Sequence, residues 1–207
     1  LEKPSGYTVL LDSSVLFPVF ISNLLLFLAE RQLFKVRWTA RIHGEWVNRR
    51  LDRYPDSDRA ALERKRTVMD REFEEALVSG FEALIDEIDL PDPDDQHVLA
   101  AARACKADVI VTDNIDDFPA AVLSPLNLFA QRADDFIADQ VGVSAESTDM
   151  VAVAVVRHKK SLTKSRLTWK RYFEEVRKKL PHTYAEFNSH NFHTAVANAI
   201  TSGAWHY

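Results

Sequence analysis

Acidic side chains recur in this chain where a carboxylate could do chemistry. Asp12 ends the apolar run YTVLL, and Glu45 sits within HGEWVNRRL. Asp92, Asp94 and Asp95 crowd the start of LPDPDDQHVLAAARA, and Asp113, Asp116 and Asp117 follow ADVIVT. Like charges at close range repel: at about 4 Å and an effective dielectric of about 20, two unit charges interact by roughly 4 kcal/mol. Several carboxylates gathered in one place therefore need protons or a cation. Oxygen donors without sulfur or abundant histidine suit a hard cation, Mg²⁺ or Mn²⁺. Such a site activates water and offsets charge on a phosphoryl group, which makes phosphodiester hydrolysis the natural chemistry. A local alternative stands beside this one. Asp92 is a good helix N-cap, Pro93 suits the first helical position, and Asp94 and Asp95 favour the positive end of the dipole. Asp92 and Asp95 also have capping-box spacing.

The elements that would position these acids alternate. Tyr7–Leu11 and Ala107–Thr112 are apolar, β-prone runs that read as strands buried on both faces. Phe34–Thr39 reads as another strand, with short strands expected at Phe81–Ile88 and near Val122–Leu123. Helices are expected through Leu24–Leu33, over ARIHGEWVNRRLDR, over Asp58–Ser79, after Asp92, and over Asn127–Asp139. Strands alternating with helices imply a parallel sheet with right-handed crossovers, which binds ligands beyond the carboxyl ends of its strands. Asp12 and Asp113–Asp117 follow two such ends, and Asp95 opens a helix on the same edge. From Val143 onward only helices are expected, the second stopped by Pro181 and the last running through Phe187–Ala199.

Bulk properties narrow the class. At 207 residues, 46% hydrophobic and 28% charged, the chain is an ordinary globular protein. One cysteine, Cys105, excludes a disulfide framework and reads as a buried structural thiol. No stretch has the length and purity of a membrane span, and no signal peptide is visible, so a cytoplasmic protein is expected. The net charge of −5 hides an asymmetry: residues 1–140 carry 26 acids against 16 bases, and residues 141–180 carry ten bases against four acids. Lys159, Lys160, Lys164 and Arg166, near Trp169, Tyr172 and Phe173, would neutralise phosphates while the aromatics stack bases. A solvated helix with its aromatics packed on the core, or a surface for an acidic partner, fits the same residues.

LLDSSVL, HGEWVNRRL, DPDDQHVLAAA and ADVIVTDNIDDFP together resemble the PIN-domain ribonucleases, in particular the VapC-type toxins of toxin–antitoxin pairs. The resemblance covers roughly residues 7–140. It implies a three-layer α/β/α domain over 1–140 with a central, mainly parallel sheet, and leaves 141–207 as a helical C-terminal extension. It also implies a Mg²⁺- or Mn²⁺-dependent endoribonuclease. Asp12, Glu45 and Asp95 match three family acids, and Asp117 matches the Asp before Phe. Asp12, Asp95, Asp117 and Asp113 are the candidate metal ligands. Thr112, Asn114 and Ser14 are candidate supporting residues; Ser14 stands where Asn is frequent. RNA as substrate, a small antitoxin that occludes the acids, and a homodimer are the implied partners; no membrane is.

Other residues have plainer readings. Glu45 has an i+4 partner in Arg49. His97 reads as a surface helix residue. His190 and His193 lack a third ligand, so zinc is not expected. Ser13 and Ser14 lack a histidine base, and a phosphatase with Asp12 as nucleophile would need an acid where Ser14 stands. A non-catalytic RNA- or protein-binding module with the same fold is the alternative function.

Overall fold

A computed structural model describes residues 7–162 and 167–204. Five strands form one all-parallel sheet in the order β3-β2-β1-β4-β5: β1 (Thr8–Leu11), β2 (Lys35–Thr39), β3 (Leu77–Val78), β4 (Val109–Val111) and β5 (Phe129–Gln131). All residues of β1 and β4 are buried, as unbroken apolar runs require in a sheet covered on both faces. Their register pairs Leu11 with Val111, so the chain leaves both strands side by side. The strand order reverses between β1 and β4. Connections from their carboxyl ends lead to opposite sides, which opens a crevice there.

The chain forms two compact units. The first holds the whole sheet, spanning the described residues up to Ser22 together with Phe34–Arg132. After β1 come α1 (Ser13–Leu16) and α2 (Val19–Glu30), the latter shared with the second unit. Then follow α3 (Ala40–Arg53), α4 (Arg59–Glu72), α5 (Gln96–Ala104) and α6 (Ala120–Leu123). Thr39 caps α3 by accepting from Ile42 N at 3.0 Å, and Asp58 caps α4. Asp92 accepts from Asp94 N at 2.9 Å and starts a 3-10 turn, Pro93–Asp95, that runs into α5.

Two expected strands are corrected. Phe81–Ile88 holds a 3-10 segment, Glu82–Glu87, and the strand lies earlier, at Leu77–Val78. The apolar residues Phe81, Leu84, Ile85 and Ile88 recur at three- and four-residue intervals, a helical spacing. Val122–Leu123 belongs to α6, while β5 forms inside the stretch expected to be helical from Asn127. Asn127 itself takes a left-handed conformation, φ 54°, which ends the preceding turn and prevents a helix from starting there.

The second unit holds Asn23–Leu33 and the chain from Ala133 on. Its helices are α7 (Ala133–Ala138), α8 (Ala145–Ser161), α9 (Trp169–Lys179), α10 (Pro181–Phe187) and α11 (His190–Ser202), with no strand among the described residues. Ser144 and Ser147 form a capping box at the start of α8, and α8 packs on α11. Pro181 does more than stop α9, since it opens α10 at the first helical position. Both Asp134 oxygens accept from the free amides there, His182 N at 2.9 Å and Thr183 N at 2.8 Å. The buried His158 and Tyr172 side chains meet at 2.8 Å. Burial holds His158 down to about 3, so it is neutral. No described helix is long and apolar enough to cross a membrane.

The α/β class with a central parallel sheet and added C-terminal helices is the one observed, in keeping with a three-layer α/β/α fold.

Candidate functional site

Asp12 leaves β1 at the reversal point and is 2% exposed. Its backbone N–H donates to Val111 O at 3.0 Å, which ties it to the end of β4. Asp12 Oδ2 accepts from Ser14 Oγ at 2.6 Å and Thr112 Oγ1 at 2.8 Å, and Oδ1 accepts from Ser13 N at 2.5 Å. The same hydroxyls fix the next loop: Asp113 N donates to Ser14 Oγ and Asn114 N to Thr112 Oγ1, each at 3.0 Å. Ser14 and Thr112 are thus buried polar groups that lock Asp12 and the loop after β4 into one frame.

Beside it, Asp92, Asp95 and Asp117 offer carboxylate oxygens that all lie within 4.8 Å of one another. Asp92 is held by its cap and Asp95 by the start of α5. Asp117 closes the 3-10 turn Ile115–Asp117, anchored by the buried Phe118. Asp95 records the crowding. Burial, then the charges of Asp12, Asp117, Asp92 and Glu45, push its carboxyl from 3.8 up to about 7. One side chain thereby feels four acids, three of them from distant stretches of sequence and one, Asp92, from its own. Asp92 is the member that the sequence reading missed, since its capping role accounted for it fully. The structure shows that capping and clustering are compatible: Asp92 Oδ1 takes the Asp94 amide while the carboxylate still reaches its neighbours.

Glu45 enters from α3. Its Oε1 accepts from Arg41 Nε at 3.2 Å, so the helical ion pair runs to i−4 and not to Arg49 as expected. His97 is also corrected: it is 1% exposed, with Nε2 2.8 Å from Glu45 Oε1. That contact has ion-pair distance, but Glu45 lies off the direction of a ring N–H, and neither ring nitrogen makes a hydrogen bond among the described residues. His97 belongs to the run His97–Ala102 of α5, all of it buried, so this stretch of the helix leaves no face to solvent. Burial disfavours the Glu45 charge, but His97, Ser13 and Arg41 outweigh it and hold the carboxyl below its usual range.

A buried polar chain steadies α3 behind Glu45. Trp46 Nε1 donates to His43 Nδ1 at 2.9 Å, which leaves the proton on Nε2 to donate to Asp70 Oδ1 at 3.1 Å. Trp38 Nε1 donates to the same oxygen at 2.8 Å. Burial lowers the His43 pKa against the pull of Asp70, consistent with a neutral ring.

The remaining candidates are more dispersed. Asp113 has an exposed rim, yet desolvation raises its carboxyl, opposed by Arg132 and assisted by Asp12. Asn114 is exposed at the loop, bound through its backbone. Lys159 and Lys160 stand on the last turn of α8, with Lys159 Nζ 5.2 Å from the Trp169 ring centroid. Lys164 and Arg166 lie outside the described residues. Tyr172 is wholly buried and cannot stack a base. Cys105 is half-buried at the end of α5, and burial raises its thiol.

Three carboxylates at this separation, one with its proton held to about pH 7, have the donor set and the electrostatic need that a hard divalent cation satisfies. The site fits Mg²⁺ or Mn²⁺ better than zinc, since the nearby histidine is turned toward Glu45.

A family model described as PIN domain matches residues 8–116. A stretch of 62 residues is 44% identical to "Putative ribonuclease VapC50" of Mycobacterium tuberculosis (strain ATCC 25618 / H37Rv). That stretch is 30% of this chain and 37% of the relative, so little more than a third of the relative's length is spanned. No solved structure gives a significant match.

Proposed function

The chain belongs to the PIN-domain family, and on that premise we propose that it is a divalent-metal-dependent endoribonuclease that hydrolyses RNA phosphodiesters, and the toxin of a toxin–antitoxin pair. One observation carries the catalytic reading: acids from β1, α3, the turn before α5 and the loop after β4 converge on Asp95. Asp92, Asp95 and Asp117 would hold the cation, with Asp12 oriented beside them by Ser14 and Thr112. Bound there, Mg²⁺ or Mn²⁺ supplies a water of lowered pKa and a counter-charge for phosphoryl oxygens. Asp95 would serve as a ligand in its ionised form, its proton passing to solvent. Glu45, hydrogen-bonded by Arg41 and in contact with His97, would act as an ionised carboxylate that accepts a proton or orients water. Asp113 stays a candidate ligand at the rim. The products carry a 5′-phosphate and a 3′-hydroxyl.

In this reading residues 1–140 are the nuclease domain and 141–207 an extension, with Lys159, Lys160, Lys164 and Arg166 as weak RNA contacts. The chain acts in the cytoplasm, pairs with a second copy of itself, and is held silent by a small antitoxin over the acids. The test is incubation of antitoxin-free protein with mixed RNAs in Mn²⁺ or in EDTA. Cleavage in Mn²⁺ alone, abolished by Asp117→Asn in a folded protein, is the expected result. RNA binding without metal-dependent cleavage refutes the nuclease and leaves a binding module.

A further inference from the structure

Arginines of the sheet-bearing unit are mostly neutralised in place. Arg37, Arg41, Arg64, Arg71 and Arg103 each lie within 3.5 Å of a carboxylate. Arg49, Arg50 and Arg53, in the second half of α3, behave differently. Among the described residues no carboxylate comes within ion-pair distance (4.0 Å) of them, although this unit is rich in acids. They lie on rings. Arg49 Cζ is 4.9 Å from the Phe17 centroid, Arg50 Cζ is 4.4 Å from that of Tyr54, and Arg53 Cζ is 5.5 Å from that of Tyr54. Guanidinium planes supported in this way lose little rotamer freedom when they bind an anion, and both planes and rings can stack unpaired bases.

Their placement is directional. Glu45, Arg49 and Arg53 are spaced by four residues, so they share one face of α3, with about one helical turn of roughly 5.4 Å between successive members. The row begins at the acid pocket. Arg132 stands at that end, with Nη1 donating to Asp113 O at 2.8 Å, and the charges of both Arg49 and Arg132 act on the Asp113 carboxylate. On a unit rich in acids, this strip offers a polyanion positive charge that no neighbouring carboxylate neutralises at ion-pair distance among the described residues.

We propose that the Arg49–Arg53 face of α3, with Arg132 at its pocket end and the Phe17 and Tyr54 rings beneath, is the track that holds the phosphates of single-stranded RNA leading to the carboxylates. This rests on the ribonuclease reading for its destination, but the binding it asserts is measurable without cleavage.

The test uses the full chain and a fluorescently labelled single-stranded RNA, titrated by anisotropy in EDTA at several salt concentrations. The R49Q/R53Q double variant is compared with R64Q/R71Q, which removes the same charge from α4. The slope of log affinity against log salt falls by about 1.4 for R49Q/R53Q, about 0.7 per lost phosphate contact, and is unchanged for R64Q/R71Q. In Mn²⁺ the KM of R49Q/R53Q rises while kcat is retained. Equal binding by the two double variants, or no binding of RNA by the wild type, overturns the track. Tighter binding of a poly-glutamate chain than of RNA of equal charge overturns it as well and assigns the strip to an acidic protein. Wild-type protein that binds RNA through Arg49 and Arg53 yet cleaves nothing in Mn²⁺ supports the track and defeats the nuclease reading alone.

Discussion

Replacing Asp95 by Asn should stabilise the metal-free protein at alkaline pH. Burial and four neighbouring acids raise this carboxyl from 3.8 to about 7. At about 1.4 kcal/mol per tenfold, that difference corresponds to roughly 4 kcal/mol. The side chain is partly exposed, so solvent screening leaves about 2 kcal/mol. The sign follows from which state holds the proton. Between the unfolded value of 3.8 and the folded value of about 7, the folded chain binds the extra proton. The associated stability is therefore complete below pH 3.8 and is lost as pH rises through about 7. Asn carries no charge and has no such loss. For a chain of this size, about 2 kcal/mol corresponds to a rise in Tm of roughly 4–8 °C. Thermal unfolding followed by circular dichroism, in EDTA at pH 8 and again near pH 4, measures it. The gain should appear at pH 8 and shrink to a small remainder near pH 4. Mn²⁺ at pH 8 should then raise the Tm of the wild type more than that of the variant. A variant no more stable than the wild type at pH 8 in EDTA would show that these acids are not in unrelieved contact, and the case for a cation site would go with it.

Other perturbations separate the site from its supports. Because a cation must displace the Asp95 proton, Mn²⁺ affinity measured by calorimetry should rise about tenfold per pH unit below pH 7 and level off above it; a flat profile from pH 5 to 7 refutes this. Thr112→Val removes a hydroxyl that donates to Asp12 and accepts from Asn114 N, and should lower metal-dependent cleavage by about 10–100-fold with an unchanged circular dichroism spectrum; wild-type rates would sink that role. Asp70→Leu strips Trp38 and His43 of their shared acceptor, and urea unfolding should show a loss of about 2–4 kcal/mol, a negligible change ruling out the buried chain as a support of α3.

Much of this molecule was legible in its sequence because the signals were local. The unbroken apolar runs at β1 and β4 could only be strands covered on both faces, and each leads into acids within one or two residues. Asp92 and Pro93 announce a helix start by the chemistry of free amides, and the first turn follows as written. Local signals also misled. Phe81–Ile88 and Val122–Leu123 are short apolar stretches in which strand and single-turn helix look alike, and the left-handed Asn127 that resolves the second is visible only as a backbone angle. His97 read as a surface residue because nothing nearby in sequence reveals which face of α5 is covered.

By itself, then, the sequence determined the alternation of strands and helices, the supply of carboxylates, and the positions at strand ends where they stand. Only the tertiary structure decided that Asp92 joins Asp95 and Asp117, that Glu45 pairs with Arg41 and buried His97, and that no carboxylate among the described residues reaches ion-pair distance of Arg49 or Arg53. The reason is physical: repulsion, burial and ion pairing depend on distances of a few ångströms between residues tens of positions apart, and those distances are set by the reversal of strand order between β1 and β4.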